Sequence, residues 1–223
     1  MQPSHSPTAL KRVTVLISGR GSNLIALYEH RKGYEITCVI SNNRDAKGVS
    51  WARNLEIPCR ILERSEYQSL KAFKSALLEA VIESDPQIVC LAGLMVVLQP
   101  EFVNRFKGQL INIHPSLLPK FPGLDTHERV LAAREVEHGA SVHFVSEGID
   151  TGAIIAQVAV PVCCDSDTAE TLAARVLDCE HRLYPWVVSK LSSGEISLGA
   201  DSRVAISEDA RAQAKLAGFR LNC

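Results

Sequence analysis

The chain has 223 residues, with 24 Lys plus Arg against 25 Asp plus Glu, and this formal net charge of −1 excludes a global attraction to nucleic acid or to an anionic membrane. With 46% hydrophobic and 22% charged residues and a mean hydropathy of +0.05, it can bury one sizeable core and is not of the disordered class. It is too short for two ordinary catalytic domains joined by a linker.

Residues 1–12 precede the first predicted strand and are expected to form a disordered extension; residues 1–10 are polar and lack the apolar run of a secretory leader. Residues 13–18 form a short β-branched run that stops at Gly19, and the helical spacing of 23–31 follows. The same alternation recurs as strand 36–40 before helix 49–55, strand 58–62 before helix 66–82, strand 87–91 before helix 100–106, and strand 110–113 before helix 128–134. Pro100 fits a first helical turn, where its missing N–H is not needed. Two more strands are predicted at 140–145 and 154–160, joined by the turn-forming segment 146–152. Residues 167–191 read as a long helix capped by Asp167 and ended by Ser192-Ser193-Gly194, and the tail from Glu195 reads as a short strand and helix. The fold expected is a single α/β domain: a doubly wound, mostly parallel, Rossmann-like sheet with helices on both faces.

The apolar runs, such as 88–98, are far too short to span a bilayer, so a cytoplasmic protein is expected. The seven cysteines (Cys38, Cys59, Cys90, Cys163, Cys164, Cys179 and Cys223) contain no CxxC pair and are read as reduced thiols. Adjacent Cys163 and Cys164 would point to opposite faces of an extended chain, which suits neither a shared metal nor redox pairing. His143, alternating with Val142 and Phe144 in a strand, and His138, placed at a helix end, are read as structural. No HExxH spacing occurs, and no catalytic metal is expected. The basic residues are scattered without aromatic interleaving, which argues against nucleic-acid binding.

Three segments carry candidate chemistry. Ser18-Gly19-Arg20-Gly21-Ser22-Asn23 is a glycine-rich turn at a strand-to-helix junction, where unpaired N–H groups and the helix dipole favour an anion. It matches neither the dinucleotide nor the nucleoside-triphosphate fingerprint, so a single phosphomonoester fits best; a plain turn capped by Ser22 or Asn23 fits equally well. In Asn112-Ile113-His114-Pro115, residues two apart share one strand face, so an amide donor and an imidazole can converge on one substrate. An ordinary hydrogen-bonded histidine at a strand end has the same sequence signature. Asp150 lies in a glycine-flanked turn that could return a carboxylate to the strand ends, although aspartate is also common in turns for turn chemistry alone.

Taken with Leu91-Ala92-Gly93-Leu94-Met95, Ser116-Leu117-Leu118-Pro119 and Gly139-Ala140-Ser141-Val142-His143-Phe144-Val145, these segments resemble, in order and spacing, the phosphoribosylglycinamide formyltransferase family of folate-dependent formyltransferases, from about residue 13 to about residue 186. The resemblance implies transfer of a formyl group from 10-formyltetrahydrofolate to the amine of phosphoribosylglycinamide in purine biosynthesis, without a metal. It implies a phosphate-binding half over about 13–107 and a catalytic and folate-binding half over about 108–200. Gly21, Ser22 and Asn23 would hold the phosphate, and Glu180 the ribose or glycinamide. The pterin would lie against Met95, Val96, Val97 and Leu98 and the loop Ser146, Glu147, Gly148, Ile149 and Asp150, with Asn112 beside it and Arg64 toward the folate tail. Asn112 and His114 would supply donors to the tetrahedral oxyanion, and Asp150 would orient His114 and relay a proton through water. Val96 stands where many relatives carry Arg, and Gly148 with Thr151 departs from the usual Glu-Leu-Asp-Gly-Gly turn. Partners are expected to be these small molecules, with no nucleic acid or membrane, and the protein a monomer or weak homodimer. The alternatives are 10-formyltetrahydrofolate hydrolysis and a non-catalytic folate- or phosphate-binding module. Methionyl-tRNA formyltransferase, with its added RNA-binding domain, does not suit the length or charge.

Overall fold

The computed structural model describes residues 9–163 and 165–221. Its elements, in chain order, are β1 (Lys11–Ile17), α1 (Ser22–Glu29), β2 (Tyr34–Ser41), α2 (Lys47–Asn54), β3 (Cys59–Ile61), a 3₁₀ turn (Arg64–Glu66), α3 (Leu70–Glu83), β4 (Ile88–Leu91), α4 (Pro100–Arg105), β5 (Leu110–His114), α5 (Thr126–Ala132), β6 (Glu137–Phe144), β7 (Ile154–Pro161), α6 (Ala169–Ser192), β8 (Ile196–Leu198), β9 (Val204–Ile206), α7 (Glu208–Ala217) and β10 (Arg220–Leu221). Eight strands form one sheet in the order β10-β7-β6-β5-β4-β1-β2-β3. The pairs from β3 across to β5 are parallel; β6, β7 and β10 each run antiparallel to the strand before them in the sheet.

Alternation along the strands divides the core between two faces. Val13, Val15 and Ile17 join Leu24 and Leu27 of α1, Val49 and Ala52 of α2, and Leu172, Val176, Leu183 and Val187 of α6. Leu16, Val89, Leu91 and Leu110 point the other way, against Phe73, Leu77 and Val81 of α3 and Phe102 and Val103 of α4. Period-2 alternation with helical stripes on both sides is what a doubly wound sheet requires, and the expected fold class holds. At Thr37 a bulge shifts the register between Val13 and Thr14, so that Ile36 and Val39, three apart, both face the α1 and α6 side.

Several local expectations are corrected. β1 begins at Lys11, where its pairing with Tyr34 starts, so the expected extension over 1–12 overlaps the sheet; residues 1–8 lie outside the described residues. Thr168, not Asp167, caps α6, through a reciprocal pair of bonds with Thr171. Asp167 instead pairs with Arg175 at 2.6 Å and accepts the Cys163 N–H, which holds its carboxyl far below the usual range. His138 lies inside β6 opposite Val160 and is buried, not at a helix end. The tail carries a β8–β9 hairpin and, after α7, a strand that pairs with β7 on the main sheet, more structure than two or three residues per strand announce. Cys38, Cys59, Cys90, Cys163 and Cys179 are free thiols, while Cys164 and Cys223 lie outside the described residues.

Candidate active site

The glycine turn leads from the carboxyl end of β1 into α1. Gly21 takes the N-cap position at φ +77° with no side-chain cap bond, so neither Ser22 nor Asn23 caps the helix as the plain-turn reading required. A left-handed backbone there needs glycine, and a Cβ at Gly21 would lie 2.7 Å from the Gly48 Cα at the start of α2. The first N–H groups of α1 are therefore left without a side-chain partner. Asn23 is buried and donates its Nδ2 to Glu180 Oε2 of α6 at 2.6 Å, while its Oδ1 is buried with no partner. Burial pushes the Glu180 carboxyl up to about 7, against the smaller opposing pull of the Asn23 bond. Ser18 Oγ accepts the Met95 N–H at 2.8 Å, which ties this turn to the strap after β4.

Asn112 and His114 project from the same face of β5, as the two-residue spacing demands. The antiparallel register places Asn112 directly opposite His143 of β6. Asn112 Nδ2 lies 3.3 Å from His143 Nε2 and 3.4 Å from Asp150 Oδ1, and those two acceptors are 3.6 Å apart. His143 Nδ1 faces the Phe144 carbonyl at 2.9 Å, which sets the tautomer that leaves Nε2 free to accept. The other carboxylate oxygen of Asp150 accepts the Gly123 N–H at 2.9 Å and lies 3.3 Å from His114 Nδ1. His114 Nε2 meets the Phe121 carbonyl at 2.9 Å. Asp150 thus joins β5, β6 and the loop that precedes α5.

The turn that delivers Asp150 is closed by Thr151, whose hydroxyl donates to the Glu147 carbonyl and meets Ser146 Oγ at 3.1 Å. Gly148 at φ +112° accepts this closure, since a Cβ there would sit 2.7 Å from Thr151 Oγ1. Asp150 itself is left-handed at φ +53°, a region that aspartate tolerates better than most residues. Burial alone would raise its pKa, but the facing His143 and His114 imidazoles and the Gly123 N–H together outweigh burial and hold it below the usual range. Burial lowers the His114 pKa, against the smaller opposing effects of the Phe121 carbonyl and the Asp150 charge. At neutral pH the site therefore holds an ionised carboxylate beside a neutral imidazole. Both ring nitrogens already face acceptors, so the geometry for a second proton is in place.

These groups line a cavity of about 710 Å³. Its walls include Met95, Val96, Val97 and Leu98, the whole of Ser146, Glu147, Gly148, Ile149 and Asp150, and Asn112, His114 and His143. Of the residues expected to contact folate only Arg64 is not on this wall; it lies in the 3₁₀ turn and donates to the Tyr67 carbonyl at 2.8 Å. Gly21, Ser22, Asn23 and Glu180 form a separate group that adjoins the cavity through the Ser18–Met95 bond. Sequence reading missed His143, whose role depends on strand register, and the Gly123 N–H, for which no local signal exists. It also missed His127 of α5, which lines the cavity and meets His138 Nε2 at 3.0 Å; burial pushes His138 down to about 4. Among the described residues no group of three or more His, Cys, Asp or Glu is arranged to hold a metal ion.

The Glu180 shift makes a thermodynamic prediction. A carboxyl raised from 4.5 to about 7 favours folding fully below pH 4.5, where both states are protonated, and that contribution is lost as pH rises through 7. The histidines with lowered pKa act oppositely, losing stability as pH falls below 6.5. In urea titrations from pH 4.5 to 8, Glu180→Gln should gain on wild type progressively with pH, by about 2–3 kcal/mol over the range. A difference that does not change with pH would contradict a buried, protonatable Glu180.

Residues 11–188 match the formyl transferase family model. The chain is 43% identical over 203 residues to the trifunctional purine biosynthetic protein adenosine-3 of Bos taurus, covering 89% of this chain and 20% of that protein. It is 42% identical over 190 residues to the phosphoribosylglycinamide formyltransferase of Escherichia coli strain K12, covering 83% of this chain and 89% of that enzyme. The phosphoribosylglycinamide formyltransferase structure from Coxiella burnetii superposes with a TM-score of 0.83 at 41% identity, over 89% of this chain and 94% of that one. The chain spans about a fifth or less of the trifunctional relatives and nearly the whole of the single-function ones.

Proposed function

The chain belongs to the formyl transferase family, and from that premise we propose that it transfers the formyl group of 10-formyltetrahydrofolate to the amine of phosphoribosylglycinamide in purine biosynthesis. The observation that carries this reading is the Asp150 carboxylate, 11% exposed at the cavity wall and engaged at once with Asn112, His114 and Gly123. The single-function relatives, covered almost end to end, bear this activity in their names. The remaining activities of the trifunctional relatives are not assigned to this chain.

The acceptor phosphate is held by Gly21, Ser22 and Asn23 at the start of α1, where N–H groups and the helix dipole favour an anion. Glu180 and the unpartnered Asn23 Oδ1 receive donors from the ribose or glycinamide. The donor occupies the cavity, its pterin against the backbone of residues 95–98 and 146–150. The phosphate turn comes from the half over about 13–107 and the catalytic residues from the half over about 108–200, and each half reaches into the other's ligand, through residues 95–98 for the donor and Glu180 for the acceptor.

Asn112 can stabilise an oxyanion only if one amide N–H remains free. Asn112 Nδ2, His143 Nε2 and Asp150 Oδ1 form a nearly equilateral triangle, so the two acceptors are about 60° apart as seen from Nδ2, half the angle between amide N–H bonds. When one N–H serves both acceptors, the second is free to donate to the oxygen that gains charge as the amine adds to the formyl carbon. His114 supplies the other donor when the formyl oxygen takes the place of the Phe121 carbonyl at Nε2, while Asp150 keeps Nδ1 in position. Asp150 also relays, through a water, the proton that leaves the amine for the departing folate nitrogen.

The test is absorbance-monitored release from a 10-formyl dideaza donor, with and without phosphoribosylglycinamide. Release that requires the amine supports the transferase. Release without it indicates the hydrolase, and binding of both ligands with no release a non-catalytic module. Among the described residues no helix is long and apolar enough to cross a membrane. In this reading the protein acts on small molecules in the cytoplasm, as a monomer or weak homodimer, which the relatives named for a small-molecule reaction favour.

A further inference from the structure

The mouth of the cavity has an uneven chemistry. Met95, Val97, Leu124 and Ile149 stand on three different loops and are each more than half exposed. Between them lie the exposed carboxylates of Asp125, Glu128 and Glu147. No Lys or Arg lines the cavity, and among the described residues none of these three carboxylates is in an ion pair; Glu147 is met by the neutral Asn104 amide at 3.3 Å. The neighbouring cations are occupied elsewhere. Arg129 donates to the Pro122 and Leu124 carbonyls and lies over the Phe121 ring, Arg105 lies over Phe106, and Arg64 bonds the Tyr67 carbonyl.

A folate-type donor carries one or more glutamates on the end remote from its pterin, and with the formyl group at Asn112 and His114 that end must leave through this mouth. An apolar rim with fixed negative charges can cover the uncharged aromatic part of the tail and offers its carboxylates no ion pair. We infer that this site takes reduced-folate donors with short or uncharged tails at least as tightly as donors with long polyglutamate tails. The inference rests on the formyl-donor reading of the cavity.

The experiment is equilibrium binding of 10-formyl dideaza donors bearing no, one or five glutamates to the full chain, at low and high ionic strength. The expected Kd for the five-glutamate donor equals that of the glutamate-free donor or is up to about fivefold weaker at low salt, and the values converge at high salt. A Kd that falls as glutamates are added would overturn the inference. Val97→Arg, which places a cation on an exposed part of the rim, should reverse the order by about two- to fivefold in favour of the five-glutamate donor. An unchanged order in that variant would show that the tail leaves by another route, and would overturn the inference as well. If none of the three donors binds, the failure belongs to the formyl-donor reading instead.

Discussion

His114→Ala is expected to lower kcat by on the order of a hundred- to a thousandfold, with little change in the Kd of phosphoribosylglycinamide. One positioned donor to a developing oxyanion supplies roughly 3 kcal/mol, and the Asp150 carboxylate 3.3 Å from Nδ1 fixes the ring so that Nε2 presents that donor once the formyl oxygen replaces the Phe121 carbonyl, 2.9 Å away. The loss should fall on turnover because the phosphate turn and Glu180 form a separate group across the Ser18–Met95 bond. Single-turnover rates under saturating substrates measure the effect directly. A variant within tenfold of wild type would remove His114 from the reacting centre.

Asp150→Asn should be more damaging, with a kcat loss of roughly 10³–10⁴-fold, because one substitution removes both an orienting charge and a proton acceptor. The amide oxygen can still accept the Gly123 N–H while its NH2 faces the acceptor His143 Nε2, so the fold should be kept, and a single cooperative urea transition at neutral pH is the control. The pH profile separates chemistry from architecture. Burial lowers the His114 pKa and the Asp150 charge partly restores it, so in wild type the rate limb controlled by His114 lies below pH 6.5. Without the carboxylate that limb should move to lower pH still. Asp150 is itself held below the usual carboxylate range, so its contribution to wild-type stability is present above about pH 4 and is lost only as pH falls through its lowered pKa. A variant with reduced kcat and an unmoved acid limb would assign Asp150 a purely structural part.

What the sequence determined by itself was whatever depends on neighbours along the chain. The alternation in 13–18, 87–91 and 110–113 predicted the parallel sheet because strand period and face burial are local properties. Asn112 and His114 on one face followed from a spacing of two, and the pairing of Gly21 with a helix start from the need for a backbone that only glycine adopts easily. The glycine-flanked turn made Asp150 a candidate, while its catalytic role and the choice of Glu180 came from the resemblance to a known family.

Other features were decided only in three dimensions. His143 looked like one more buried strand residue until the β5–β6 register set it opposite Asn112, 31 positions away. The carboxylate of Asp150 gains its partners from a left-handed backbone residue, a Thr151 hydroxyl that closes the turn, and a Gly123 N–H from a loop 27 positions earlier. Asn23, expected to hold a phosphate or else to cap the helix, turns inward to Glu180, 157 positions away, because α1 packs against α6. Arg64, expected toward the folate tail, is not on the cavity wall and lies exposed in a 3₁₀ turn, where its guanidinium bonds the Tyr67 carbonyl. Strand register, turn handedness and helix docking are set by packing between distant segments, and local pattern does not encode them.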